Sequence, residues 1–283
     1  MNQVFDFNRW LLLMGKHWSE NRKKYLLSLL ALVALLVIWY SFILIMEHQY
    51  PFPDVVQVST YYVGMALAGC LFGSLVFAEL AGGPKAMHYL SVPASTLEKL
   101  LTGLLYSVVL FFICYTAVFY LVDYVMVNLS NSILESYWKE RDPQHQVIVQ
   151  KVANVFYNGG TNPELPDDEN FFFYFLLIYF NLQAAFILGS IYFPGYSFIK
   201  TCISLLVVFL LFVFLMANVL DGIMPGGHFT GFFAYQVFEE GSTVPRGVKI
   251  SDGLAGTIRF LFMYGFMPLF WFATYYRLKE KEV

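Results

Sequence analysis

The chain offers few side chains whose types and spacing could carry out a reaction. Its five histidines, His17, His48, His88, His145 and His228, are scattered, and none forms a His-Glu-x-x-His set or another close ligand pair. Metal binding is therefore not expected. Cys70, Cys114 and Cys202 all lie inside apolar runs with no metal or redox spacing, and read as small hydrophobic residues. No Gly-x-Ser-x-Gly nucleophile elbow occurs. "AGGPKAM" (Ala81 to Met87) is glycine-rich with a lysine, but lacks the spacing and the following hydroxyl of a phosphate loop. Glu239-Glu240 reads as a solvated acidic pair. The chain is not expected to be an enzyme, nor to hold a cofactor or metal of its own.

One short polar stretch does have a definite local chemistry. In "SVPASTLEK" (Ser91 to Lys99), Ser95-Thr-Leu-Glu98 is a capping box. The Ser95 hydroxyl can accept from the Glu98 amide while the Glu98 carboxylate accepts from the Ser95 amide. Pro93 fixes the chain direction just before it. The stretch lies between two long apolar runs, so its use depends on the elements around it.

Those elements are set by composition. The chain is 58% hydrophobic and only 13% charged, against about a quarter charged for a soluble domain. This identifies an integral membrane protein. A spanning helix needs about 20 mostly apolar residues, and six segments qualify, roughly 25–46, 56–79, 98–122, 171–193, 201–220 and 257–276. The expected fold is all-α and polytopic, one transmembrane domain over residues 1–283, with outer loops at 123–170 and 221–256. The net charge of −3 gives no sign of nucleic-acid binding.

Orientation follows from the basic residues. Eleven of the seventeen fall on one side: Arg9, Lys16, Arg22, Lys23, Lys24, Lys85, Lys99, Lys200, Arg277, Lys279 and Lys281. The positive-inside rule then puts both termini in the cytoplasm. Residues 1–24 are not a secretory signal: the polar lead is long and no small-residue cleavage site follows. They read as an amphipathic helix on the inner membrane surface, with Trp10 and Trp18 at the interface and bases for anionic headgroups. A helical extension of the first span is the other reading.

Within the spans, Gly69 and Gly73 form a Gly-x-x-x-Gly pair beside Gly64 and Ala68, suited either to internal packing or to a second subunit. Asn181, Ala185 and Gly189 recur every four residues on one face, for packing or for the lining of a path, while Gln183 points elsewhere. Glu79, Asp123, Asp221 and Arg259 fall near span ends, where water is expected, leaving no buried proton relay. Residues 132–158 are polar with helical character. The Gly- and aromatic-rich 221–256 is expected to form short re-entrant or amphipathic pieces.

The turn at 81–99 is either an ordinary helix start or a docking element that passes movement from a soluble partner. Taken together, the basic amphipathic N-terminus, six spans, internal termini and "LSVPASTLEKLL" (Leu90 to Leu101) resemble the permease subunits of type-2 ABC exporters. The matching positions are Leu90, Pro93, Ala94, Ser95, Glu98 and Lys99, and the outer loop of about 48 residues is longer than a minimal permease of this type needs. The resemblance implies export driven by a separate ATPase subunit that carries the ATP and Mg²⁺. It also implies pairing with a second permease subunit, alike or homologous, lipid contact, and a bacterial inner membrane. It places Lys85, Pro93, Ser95, Glu98 and Lys99 where the ATPase would dock. The competing expectation is a non-transporting scaffold or assembly subunit whose outer loops bind a partner.

Overall fold

The computed structural model describes residues 5–46, 52–81, 84–142, 149–156, 171–193, 195–223, 227–231, 234–237, 246–249 and 251–282. Nine α-helices are described: α1 (Phe7–Met46), α2 (Asp54–Leu75), α3 (Pro84–Leu90), α4 (Thr96–Leu104), α5 (Phe111–Arg141), α6 (Phe171–Tyr192), α7 (Ser197–Ile223), α8 (Asp252–Phe260) and α9 (Phe266–Glu282). A 3₁₀ turn, Ala78–Ala81, extends α2, and π-helical turns at Leu105–Leu110 and Leu261–Gly265 join α4 to α5 and α8 to α9. Six of these helical stretches are long and apolar enough to cross a membrane. They coincide with the six expected spans, and the chain is an integral membrane protein.

The N-terminal expectation needs correction. Among the described residues no separate interfacial helix precedes the first span; residues 7–46 form one helix of 40 residues, as in the second reading. At about 1.5 Å per residue it is roughly 60 Å long, twice the hydrocarbon thickness. The cause is local. No proline occurs before Pro51, and Gly15, the single glycine of the segment, sits among good helix formers.

The outer regions also depart from expectation. Span three does not end near residue 122: the helix runs on to Arg141, so 123–141 is not loop. Residues 149–156 then return as an extended strap across the end of the bundle. Between α7 and α8 the fold is not all-α, because β1 (Gly227–Gly231), β2 (Ala234–Val237) and β3 (Arg246–Lys249) form an antiparallel sheet in that order. Tyr235 pairs with Phe229 on one side and Val248 on the other. Glu239-Glu240, His48, His145 and "NGGTNPELPDDEN" (Asn158 to Asn170) lie outside the described residues.

Helix α6 is central. It packs on α2, α7 and α9, while α1 runs along α5 and α4. Glycines make the closest approaches. A Cβ at Gly69 would collide with the Tyr179 ring of α6, while one at Gly73 would come into ordinary contact with Gln183 and Ile187. The Gly-x-x-x-Gly face is thus occupied inside the bundle. Gly189 meets Thr201 of α7 in the same way, Ala185 is buried, and Asn181 faces the opposite neighbour. The 181–185–189 stripe is divided between two helices.

The two amides of α6 have matching tasks. Asn181 Nδ2 donates to the Met263 carbonyl at 2.7 Å, and Gln183 Nε2 donates to the Ser107 carbonyl. Each carbonyl lies in one of the two π-helical turns, whose wider winding frees backbone acceptors. Pro268 explains the second turn: it has no N–H for an intrahelical bond, and its ring crowds the carbonyl four residues earlier.

Candidate functional site

Both described ends of the chain meet at the start of α4. Ser95 takes an extended N-cap conformation, and the capping box forms as expected: Glu98 N–H donates to Ser95 Oγ at 3.2 Å, and Ser95 N–H donates to Glu98 Oε2 at 2.9 Å. The box does more than start a helix. Glu98 also accepts from the Asp6 N–H at 2.8 Å, from Arg9 Nε at 2.7 Å and from Arg9 Nη2 at 2.6 Å. Its carboxylate is 0% exposed.

The geometry has a simple electrostatic origin. Asp6 caps α1, its side chain accepting from the Asn8 and Arg9 amides. Glu98 therefore sits between the N-termini of two helices, α1 and α4, where unpaired N–H groups and the positive dipole ends favour an anion. The forked contact with Arg9 is the charge-assisted arrangement that a planar guanidinium forms best with a carboxylate.

The neighbouring residue holds the other end of the chain. Lys99 Nζ is 2.8 Å from Glu282 Oε1 on α9, and it donates to the Leu90 carbonyl at the end of α3 at 3.2 Å. It is 3% exposed. Thr96 Oγ1 donates to the second Glu282 oxygen. Lys281 turns the other way, donating to the Leu80 and Ile191 carbonyls at 2.9 and 3.0 Å. It thus caps the 3₁₀ turn after α2 and the end of α6. Lys24 pairs with Glu79 at 2.8 Å alongside.

The junction encloses a small polar crevice lined by Lys16, His17, Glu20, Glu79, His88 and Tyr89, among others. Burial pushes the Tyr89 phenol above its usual range, with the Glu79 and Glu282 carboxylates acting in the same direction, so it stays protonated. No cluster of three or more His, Cys, Asp or Glu side chains suited to a metal occurs among the described residues.

Of the residues expected at a docking turn, Ser95, Glu98 and Lys99 are brought together and engaged within the chain. Pro93 is exposed beside them, at the centre of a tight turn closed by the Ala94 N–H donating to the Val92 carbonyl. Lys85 lies on α3, its side chain outside the described residues. The exposed surface of α3 is marked by Met87, 74% exposed, while His88 turns to Glu20 of α1 at 3.6 Å. Arg9 and Glu282 are the partners that sequence reasoning missed. They lie 89 and 183 residues from their contacts, and no local pattern links them.

At the opposite end of the bundle the strap is held by neutral groups. Gln57, fully buried, donates to the Lys151 carbonyl at 3.3 Å and accepts from the Ala153 N–H at 2.8 Å. Tyr62 donates to the Val155 carbonyl, Tyr120 accepts from the Val155 N–H, and Asn131 bonds Gln150 in both directions. Beneath lies Asp123. It was expected near water at a span end, yet it is 0% exposed. The helix continues past it, and Tyr40 donates to it at 2.7 Å. Its other oxygen has no hydrogen-bond partner among the described residues.

Compared with protein-family models, curated proteins and solved structures, the chain gives no significant match.

Proposed function

We propose that this chain is the membrane-spanning permease subunit of an ATP-driven ABC exporter, worked by a separate ATPase. In this reading both termini face the cytoplasm of a bacterial inner membrane, and two such subunits pair around a path. The observation that carries it is the pair Glu98–Lys99, which ties α3 and α4 to the first turn of α1 and the last turn of α9. A load applied to α3 would reach α1, α4 and α9 together. The exposed surface of α3 at Met87 is where a soluble partner would apply that load. ATP and Mg²⁺ would reside on the partner.

Purification from gently solubilised membranes tests this. A P-loop ATPase should co-purify with the wild-type chain and be depleted with Met87→Asp at equal chain recovery. A chain that emerges without any ATPase contradicts the reading.

The second reading is a scaffold whose outer face binds a partner. The built strap at 149–156 favours it, because a platform held by Gln57, Tyr62, Tyr120 and Asn131 is more than a passive connection. It predicts a stable complex on that face and no nucleotide-dependent activity.

A further inference from the structure

An apolar groove of about 530 Å³ opens between α1, α2 and the α4–α5 helix. It exists because α1 packs along α4 and α5 while α2 is drawn to α6, and because the π-helical turn at Leu105–Leu110 forms part of the wall. Leu29 and Leu32 of α1, Leu71 and Leu75 of α2, and Leu110 and Phe111 line it.

One end of this groove is chemically different. Trp18, Tyr25 and Tyr106 form an aromatic shelf there, with Tyr25 stacked on Tyr106 at 5.6 Å between centroids and on Trp18 at 6.1 Å. Such rings mark the headgroup level of a bilayer. Helical spacing places Arg22 on the α1 stripe that contains Trp18, Leu26 and Leu29, all groove-lining residues. Lys16 and Lys24 are paired with Glu20 and Glu79. Arg22 and Lys23 are exposed and make no ion pair among the described residues.

We propose that the groove holds an acyl chain of an anionic glycerophospholipid, with its phosphate at Arg22. The occupant must be apolar along its body, anionic at one end, and positioned at the interface on the face that carries the termini. An anionic lipid meets all three requirements, and basic sites beside inter-helix grooves are a recurring form of headgroup recognition. A helix of a second copy would supply the apolar body but not the anionic end.

The test is native mass spectrometry of the full chain released from vesicles of phosphatidylcholine doped with phosphatidylglycerol. Wild type should retain phosphatidylglycerol in preference to phosphatidylcholine. Arg22→Gln should lower that retention roughly five-fold, the equivalent of the about 1 kcal/mol that a basic side chain contributes near an anionic surface. Lys23→Gln, one residue round the helix, should change it much less. Ala31→Phe, at an exposed groove-lining position, should fill the groove and abolish retention without loss of folded protein. Equal retention of both lipids, equal losses from Arg22→Gln and Lys23→Gln, or a chain dimer that Ala31→Phe dissociates would each overturn the proposal.

Discussion

The two ends of the bundle are both tied down, but by opposite chemistry. At the end that carries the termini, Glu98 and Lys99 are buried and make charged contacts with the part-exposed Arg9 and Glu282, and helix α3 stands beside them. At the other end the strap is held by neutral donors and acceptors, Gln57, Tyr62, Tyr120 and Asn131, over an aromatic core of Tyr40, Tyr61, Tyr115 and Phe119. The first arrangement can be re-set by a competing charge or a bound partner. The second can change only by exposing buried backbone groups. On the proposed function, movement belongs to the first end and anchorage to the second.

The strongest way to break the contrast is at Glu98. Glu98→Ala removes the acceptor for the Asp6 and Ser95 amides and for Arg9, each then left without its present partner. A loss on the order of 1–3 kcal/mol follows from orphaning buried donors, visible as a lower thermal midpoint in detergent and as new protease cleavage near residue 9. The strap should be untouched. Gln57→Leu should do the reverse at similar or slightly smaller cost, releasing the strap so that trypsin cuts at the exposed Lys151 while the N-terminus stays protected.

Smaller effects sharpen the same comparison. Gln183→Leu removes the side-chain donor to the Ser107 carbonyl of the π-helical turn, and membrane hydrogen bonds of this kind average about 0.6 kcal/mol, so a modest fall in midpoint is expected. Asn181→Leu should match it through the Met263 carbonyl. Salt gives the smallest and cleanest contrast. Between 0.1 M and 1 M the screening length falls from about 10 Å to about 3 Å. Added salt should weaken the exposed Lys24–Glu79 pair, with a small rise in hydrogen exchange around it, and leave residues 149–156 unchanged.

Much of the fold was legible because its signals are local. Six apolar runs announce themselves over 20 residues each, and the capping box needs only Ser95 and Glu98 three positions apart. The glycine pair Gly69 and Gly73 was readable as a close-packing face, though not which helix filled it. What sequence could not show depends on distant segments. Glu98 was read as a cap, but its role as a tether requires Arg9, brought in by a helix whose continuity from Phe7 to Met46 was only the second choice. Sequence places Asp123 near water because the helix that continues past it reads as loop and its partner Tyr40 lies 83 residues away. The sheet at 227–249 was missed because its strands are short and rich in glycine and aromatics, and no strict alternation marks them.

The central claim is that the end holding both termini is worked by another polypeptide through α3, while the opposite end stays fixed. A photoreactive residue at Met87, compared in intact membranes with one at the exposed Asn154 of the strap, tests it most directly. The account predicts a Met87 adduct with a nucleotide-binding ATPase, identified by mass spectrometry, whose yield changes with nucleotide in the wild type and stops changing with Glu98→Ala. Partner adducts from Asn154 and none from Met87 would contradict it.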